Sequence, residues 1–76
     1  MDVTIRLSGL LASAAGYKRI VIEIGEGATT GEVFMTLGIP VSGDWVRISV
    51  NGVLKDRKHV LKDGDEILYF PVGGGG

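Results

Sequence analysis

The stretch Leu61-Lys62-Asp63-Gly64-Asp65-Glu66-Ile67-Leu68-Tyr69-Phe70-Pro71-Val72, followed by Gly73-Gly74-Gly75-Gly76, decides how the chain is read. Asp63-Gly64 makes a tight turn, because glycine supplies a positive φ at no steric cost. Glu66 to Phe70 then predicts a strand. Ile67 and Tyr69 share one face, and Leu68, Phe70 and Val72 the other. Four glycines follow, with no side chain to pack and the most conformational freedom to lose on ordering. They cannot be core. They predict a flexible peptide leaving the domain directly from a strand. From Pro71 to Gly76 it reaches roughly 20 Å, at about 3.3–3.6 Å per residue. For an arbitrary protein, such an end is as well explained by disorder or by appended residues.

Working back from this strand, the same alternation recurs. Val3, Ile5 and Leu7 alternate with Thr4, Arg6 and Ser8, which predicts a strand over 2–8. Gly9 to Gly16 is small and glycine-bounded, and reads as a loop joining a hairpin. A second strand is expected from Lys18 to Ile24, with Ile20, Ile22 and Ile24 on one face and Arg19, Val21 and Glu23 on the other. Thr29 is a suitable helix N-cap, and Glu32 three positions later completes a capping box. Val33, Phe34 and Leu37 form one helical stripe, and Gly38 and Pro40 end the helix. Trp45 to Val50 predicts a third strand, with Trp45 at the edge of the core or at an interface. Asn51-Gly52 is a strong hairpin signal, and Val53-Leu54 opens a short fourth strand. Asp56 to Lys62 is a polar connection.

The order strand, strand, helix, strand, short strand, strand implies a two-layer α+β fold. A mixed sheet of four to five strands packs on one short helix, with the first and last strands side by side in the centre. This is the β-grasp (ubiquitin-like) layout. The domain is expected over residues 1–70 and the glycine tail over 71–76.

Composition removes several classes of function. The chain has 76 residues, 45% hydrophobic and 22% charged, which fits one small globular domain. A net charge of -1 and dispersed basic residues give no footprint for nucleic acid or an anionic membrane. The absence of cysteine excludes disulfides, thiolate metal sites and cysteine nucleophiles. The single histidine, His59, lies in a polar segment and reads as a surface or turn residue. Asp63, Asp65 and Glu66 read as turn formers rather than a metal cluster. No catalytic and no metal-ligating residue is assigned. No apolar run approaches the roughly 18 residues that span a bilayer. The start Met1-Asp2 enters a strand pattern without a basic or apolar leader, so the expected location is the cytoplasm.

The run from Leu61 to Gly74 resembles the end of the ubiquitin-like sulfur carriers of the MoaD and ThiS type. These have an L-x-D-G-D-E-[IV] turn and strand before a terminal Gly-Gly. Glu26-Gly27-Ala28-Thr29-Thr30-Gly31-Glu32-Val33 resembles their helix start, and Val50-Asn51-Gly52 their central hairpin. The likeness runs from Val3 to the end of the chain. The tail departs from the pattern, with four glycines where two are common. The resemblance implies a protein that is not itself an enzyme. An E1-like partner would adenylate the carboxylate of Gly76, and a sulfur donor would convert it to a thiocarboxylate. Gly73, Gly74 and Gly75 would form the threading tail, and ATP and Mg²⁺ would be supplied through the partner.

Leu68, Phe70, Pro71 and Val72 are the expected docking residues beside the tail, with Val21 a weaker member of the same face. The alternative is that Phe70 caps the edge of the core. The Phe70-Pro71-Val72 exit and the length of the first hairpin favour likeness to the small subunit of molybdopterin synthase. The large subunit would then be a second partner. Other readings are a carrier for thiamine thiazole or transfer-RNA thiolation, a modifier joined to lysines by isopeptide bonds, and an interaction domain with an inert tail.

Overall fold

The structure, a computed structural model, describes residues 1–72. Strand β1 (Asp2–Leu7) is followed by helix α1 (Leu10–Ala15), strand β2 (Arg19–Glu23) and helix α2 (Thr30–Leu37). A 3-10 turn (Gly43–Trp45) leads into β3 (Val46–Val50), β4 (Val53–Lys55) and β5 (Glu66–Pro71). The five strands form one sheet in the order β2-β1-β5-β3-β4. β1 and β5 run parallel at its centre, and every other neighbouring pair is antiparallel. This is the β-grasp arrangement expected from the strand order.

Alternation puts one face of the sheet against the helices. Val3, Ile5 and Leu7 of β1, Val46, Ile48 and Val50 of β3, and Ile67 and Tyr69 of β5 are all buried. Leu11, Val33, Ile39 and Leu61 close the core from the other layer. Burying apolar surface is the main favourable term in so small a domain, so this shared face fixes the register of the central strands.

Helix α2 starts at Thr29. Its hydroxyl oxygen accepts from the Glu32 amide (3.2 Å) and donates to the Glu32 carboxylate (3.1 Å). The next two amides are satisfied from across the fold: Thr30 donates to the His59 carbonyl and Gly31 to the Arg57 carbonyl, both at 3.0 Å. The segment expected to be a polar connection is therefore strapped over the helix start. Gly31 allows this approach, since a Cβ there would lie 3.0 Å from the Arg57 carbonyl oxygen. Gly38, at φ 65, ends the helix as expected.

Two expectations are corrected. Gly9 to Gly16 is not a loop: it contains α1, so two helices rather than one cover the sheet. Leu11 is fully buried beneath this short helix, and Gly16 closes it with a left-handed cap. The third strand begins at Val46, while Trp45 ends the preceding turn and is 64% exposed, outside the core edge.

The Asp63-Gly64 turn and the acidic residues around it tie the sheet together. Asp63 accepts from the Asp2 amide (2.8 Å). Asp65 accepts from the Lys62 amide (2.8 Å) and the Asn51 side chain (2.9 Å). Asn51 in turn accepts from the Glu66 amide (3.0 Å), so both turns predicted from sequence are joined by side-chain bonds. Among the described residues no helix is long and apolar enough to cross a membrane.

Candidate functional site

The chain leaves the domain from β5, the central strand, and the strand's two faces have different surroundings. Ile67 and Tyr69 are fully buried beneath the helices. The Tyr69 hydroxyl donates to the Thr30 carbonyl (2.7 Å), and its ring lies 5.1 Å from that of Phe34. Burial pushes the Tyr69 phenol well above its usual pKa, which keeps it a neutral donor. The strand that carries the tail is thereby fixed to α2 on its inner side.

Leu68 and Phe70 point to the open face and are half-buried. Leu68 lies between Arg6 of β1 and Ser49 of β3, and Phe70 is opposite Arg47 of β3. Leu54, opposite Ser49, is 68% exposed and continues the apolar strip outward. Phe70, Leu54 and Arg47 line one shallow groove. Phe70 therefore belongs to the open-face strip rather than to the buried core. Arg6 makes an ion pair with Glu66 (3.1 Å), with both side chains about half exposed. The result is an apolar strip with arginine on both sides, ending where the tail begins.

Pro71 and Val72 are held from two directions. Pro71 pairs with Val46, and a Cβ on Gly9 would sit 3.4 Å from the Pro71 ring. Gly9 has φ 56, a left-handed conformation that favours glycine. On the other side, the Val72 amide donates to the Trp45 carbonyl (2.8 Å). β5 thus runs one residue beyond its expected end at Phe70, and Val72 is still attached to the domain. Gly73, Gly74, Gly75 and Gly76 lie outside the described residues.

The expected docking residues Leu68, Phe70, Pro71 and Val72 are brought together at this exit. Val21 shares the face of Leu68 and Phe70, but sits two strands away on the edge and is 54% exposed. Sequence reading missed Gly9 and the Trp45 backbone as parts of the exit, and Leu54 as an extension of the strip. The alternation in β4, once its register is known, places Leu54 there. Nothing in the sequence pattern signals a bond between the Val72 amide and a carbonyl 27 positions earlier.

Comparison with known proteins agrees with the β-grasp fold. The ThiS family matches residues 5–76. Among solved structures, a putative molybdopterin converting factor subunit 1 from Pyrococcus furiosus is 25% identical, with a TM-score of 0.79, covering 93% of this chain and 97% of that one. Subunit 1 and 2 of the molybdopterin-converting factor from Helicobacter pylori form a protein–protein complex. The matched chain of that complex is 25% identical, with a TM-score of 0.69 and 93% of each chain covered. Small archaeal modifier protein 1 of Haloferax volcanii is 20% identical and shares the fold, with a TM-score of 0.77 over 92% of this chain and 95% of that one. No curated protein matches the sequence significantly.

Proposed function

The chain belongs to the ThiS family, and from that premise we propose that it is a sulfur carrier whose Gly76 carboxylate is adenylated by an E1-like enzyme and converted to a thiocarboxylate. The observation that carries this reading is the extent of the family match, which runs from residue 5 through all four glycines to residue 76.

The chemistry divides between the chain and its partner. A carboxylate is a poor acyl donor. Attack of a Gly76 carboxylate oxygen on the α-phosphorus of ATP expels pyrophosphate and leaves an acyl adenylate. Hydrosulfide delivered by the sulfur donor then attacks the acyl carbon and expels AMP, leaving the thiocarboxylate. ATP and Mg²⁺ are the partner's to hold, and the partner supplies the electrostatic stabilisation. This chain contributes an acyl carbon flanked only by glycines, and a folded body that delivers it. Leu68, Phe70 and Leu54 form the apolar centre of the docking surface, with Arg6 and Arg47 beside them. The complementary surface is apolar with acidic residues at its rim.

Molybdopterin synthesis is the favoured acceptor pathway. Both subunit 1 likenesses point there, and the Helicobacter pylori complex of subunit 1 with subunit 2 supports a second-subunit partner for this chain. The chain is proposed to act in the cytoplasm, as a carrier rather than a catalyst. A modifier role would use the same adenylate with a lysine amine as the acceptor.

The test is ATP–pyrophosphate exchange with a candidate E1-like enzyme. Exchange should depend on this protein and be lost on deletion of Gly75 and Gly76. Equal exchange with and without those two residues would refute the adenylation site.

A further inference from the structure

β2 is an edge strand, and among the described residues nothing pairs with its outer side. Its sequence, Arg19-Ile20-Val21-Ile22-Glu23, is exposed except for the half-buried Ile22. Its backbone polarity is defined by β1. The Lys18 carbonyl accepts from Leu7, and Ile24 exchanges both of its backbone bonds with Met1. Even-numbered residues therefore face β1. By the alternation of an antiparallel ladder, Arg19, Val21 and Glu23 present their N–H and C=O groups outward.

The charges on this strand are poorly placed within a single copy. Arg19 stands directly opposite Arg6, and Glu23 directly opposite Asp2. Like charges in facing positions destabilise a sheet. Among the described residues neither Arg19 nor Glu23 has an ion-pair partner.

We propose that β2 pairs antiparallel with β2 of a second copy, about a two-fold axis through Val21. This register matches the outward backbone groups. Val21 faces Val21 of the other copy, and Arg19 faces its Glu23, each pair exchanging two backbone hydrogen bonds. Each uncompensated charge gains an opposite one on its free side. On the helix-facing side, Ile20 meets Ile22, which covers an isoleucine that is 37% exposed. The strand is self-complementary only when antiparallel, so the contact is isologous and closes at two copies. It satisfies the edge in the way a charged or shortened strand would otherwise do. The opposite edge, Val53-Leu54-Lys55, is three residues long and carries no such charge pairing. The two open faces lie on the same side of the joined sheet, so both tail exits stay accessible.

Sedimentation velocity over a concentration series reaching the millimolar range tests this. The wild type is expected to shift from monomer to dimer. The R19E and E23R variants should each dimerise about tenfold more weakly, because both symmetry-related pairs become like-charged. An equimolar mixture of R19E with E23R should recover dimers, since each brings the charge the other lacks. Each reversal also removes a like-charge pair with Arg6 or Asp2 inside the copy, so thermal melting of the variants should not fall. V21P, which deletes an outward amide on an edge strand, should abolish the dimer. A wild type that remains monomeric at millimolar concentration overturns the proposal and leaves the edge to a strand of another protein. Dimers unaffected by R19E, E23R and V21P overturn it as well and place the contact elsewhere.

Discussion

Replacing Tyr69 with phenylalanine removes one oxygen from the inner side of the tail-bearing strand and leaves its ring in place. The phenol is fully buried and its hydroxyl donates to the Thr30 carbonyl at 2.7 Å. The ring contact with Phe34 survives, so the loss is that hydrogen bond. A buried neutral hydrogen bond is worth about 1–2 kcal/mol. For a domain of this size that lowers the melting temperature by about 5–15 °C. A second, alkaline signature follows from the raised pKa of Tyr69. The unfolded phenol ionises near about 10, whereas the buried one resists ionisation. Between those values the unfolded state has lost a proton that the native state keeps. Stability is thus fully present below about pH 10 and falls as pH rises toward the folded-state value. Tyr17, the other tyrosine, is common to both proteins and cancels in the comparison. Thermal melts at neutral pH and above pH 10 should therefore show a gap between wild type and Y69F that narrows in alkali. If the proposed docking strip is the contact, Y69F should still be adenylated at the wild-type rate at room temperature, because its change lies on the opposite face of β5. Equal melting temperatures at neutral pH, or a gap indifferent to alkali, would refute this account of how β5 is anchored.

The neighbouring positions predict the opposite behaviour. L68D combined with F70S should lower kcat/KM for activation by an E1-like enzyme at least tenfold, as loss of central apolar contacts does, while circular dichroism and melting change little. G31A reverses the usual rule for helices. Alanine normally stabilises a helix interior by about 1 kcal/mol relative to glycine, but here its Cβ meets the Arg57 backbone at 3.0 Å. Denaturant unfolding should show a net loss of about 1–3 kcal/mol, and a stabilised variant would contradict the strap over α2.

Features with a short-range physical signature were legible in the sequence. The parity of Ile67, Leu68, Tyr69 and Phe70 follows from the period of a strand, and it sorted core from open face correctly. Asn51-Gly52 and Asp63-Gly64 announced their turns through positive φ, observed at Asn51, Gly52 and Gly64. Thr29 and Gly38 bounded α2 as caps. What escaped depended on long-range contact. α1 is six residues long, too short for helical periodicity to show, and its flanking glycines read equally well as loop. Only the packing of Leu11 into the core requires it. The core-edge reading of Trp45 fails because the turn from Gly43 carries the side chain outward, a placement that strand periodicity does not report. The exit clamp is made partly of backbone, between Val72 and Trp45, and backbone bonds leave no mark on side-chain patterns.

The central claim is that the glycine tail is charged with sulfur. Intact-protein mass spectrometry after incubation with an E1-like enzyme, Mg-ATP and a sulfur donor tests it directly. The account predicts a mass gain equal to exchange of one oxygen for sulfur, localised to the C-terminal peptide and absent when Gly76 is deleted. An unchanged mass despite ATP turnover, or a covalent adduct to a lysine of another protein in place of the thiocarboxylate, would contradict it.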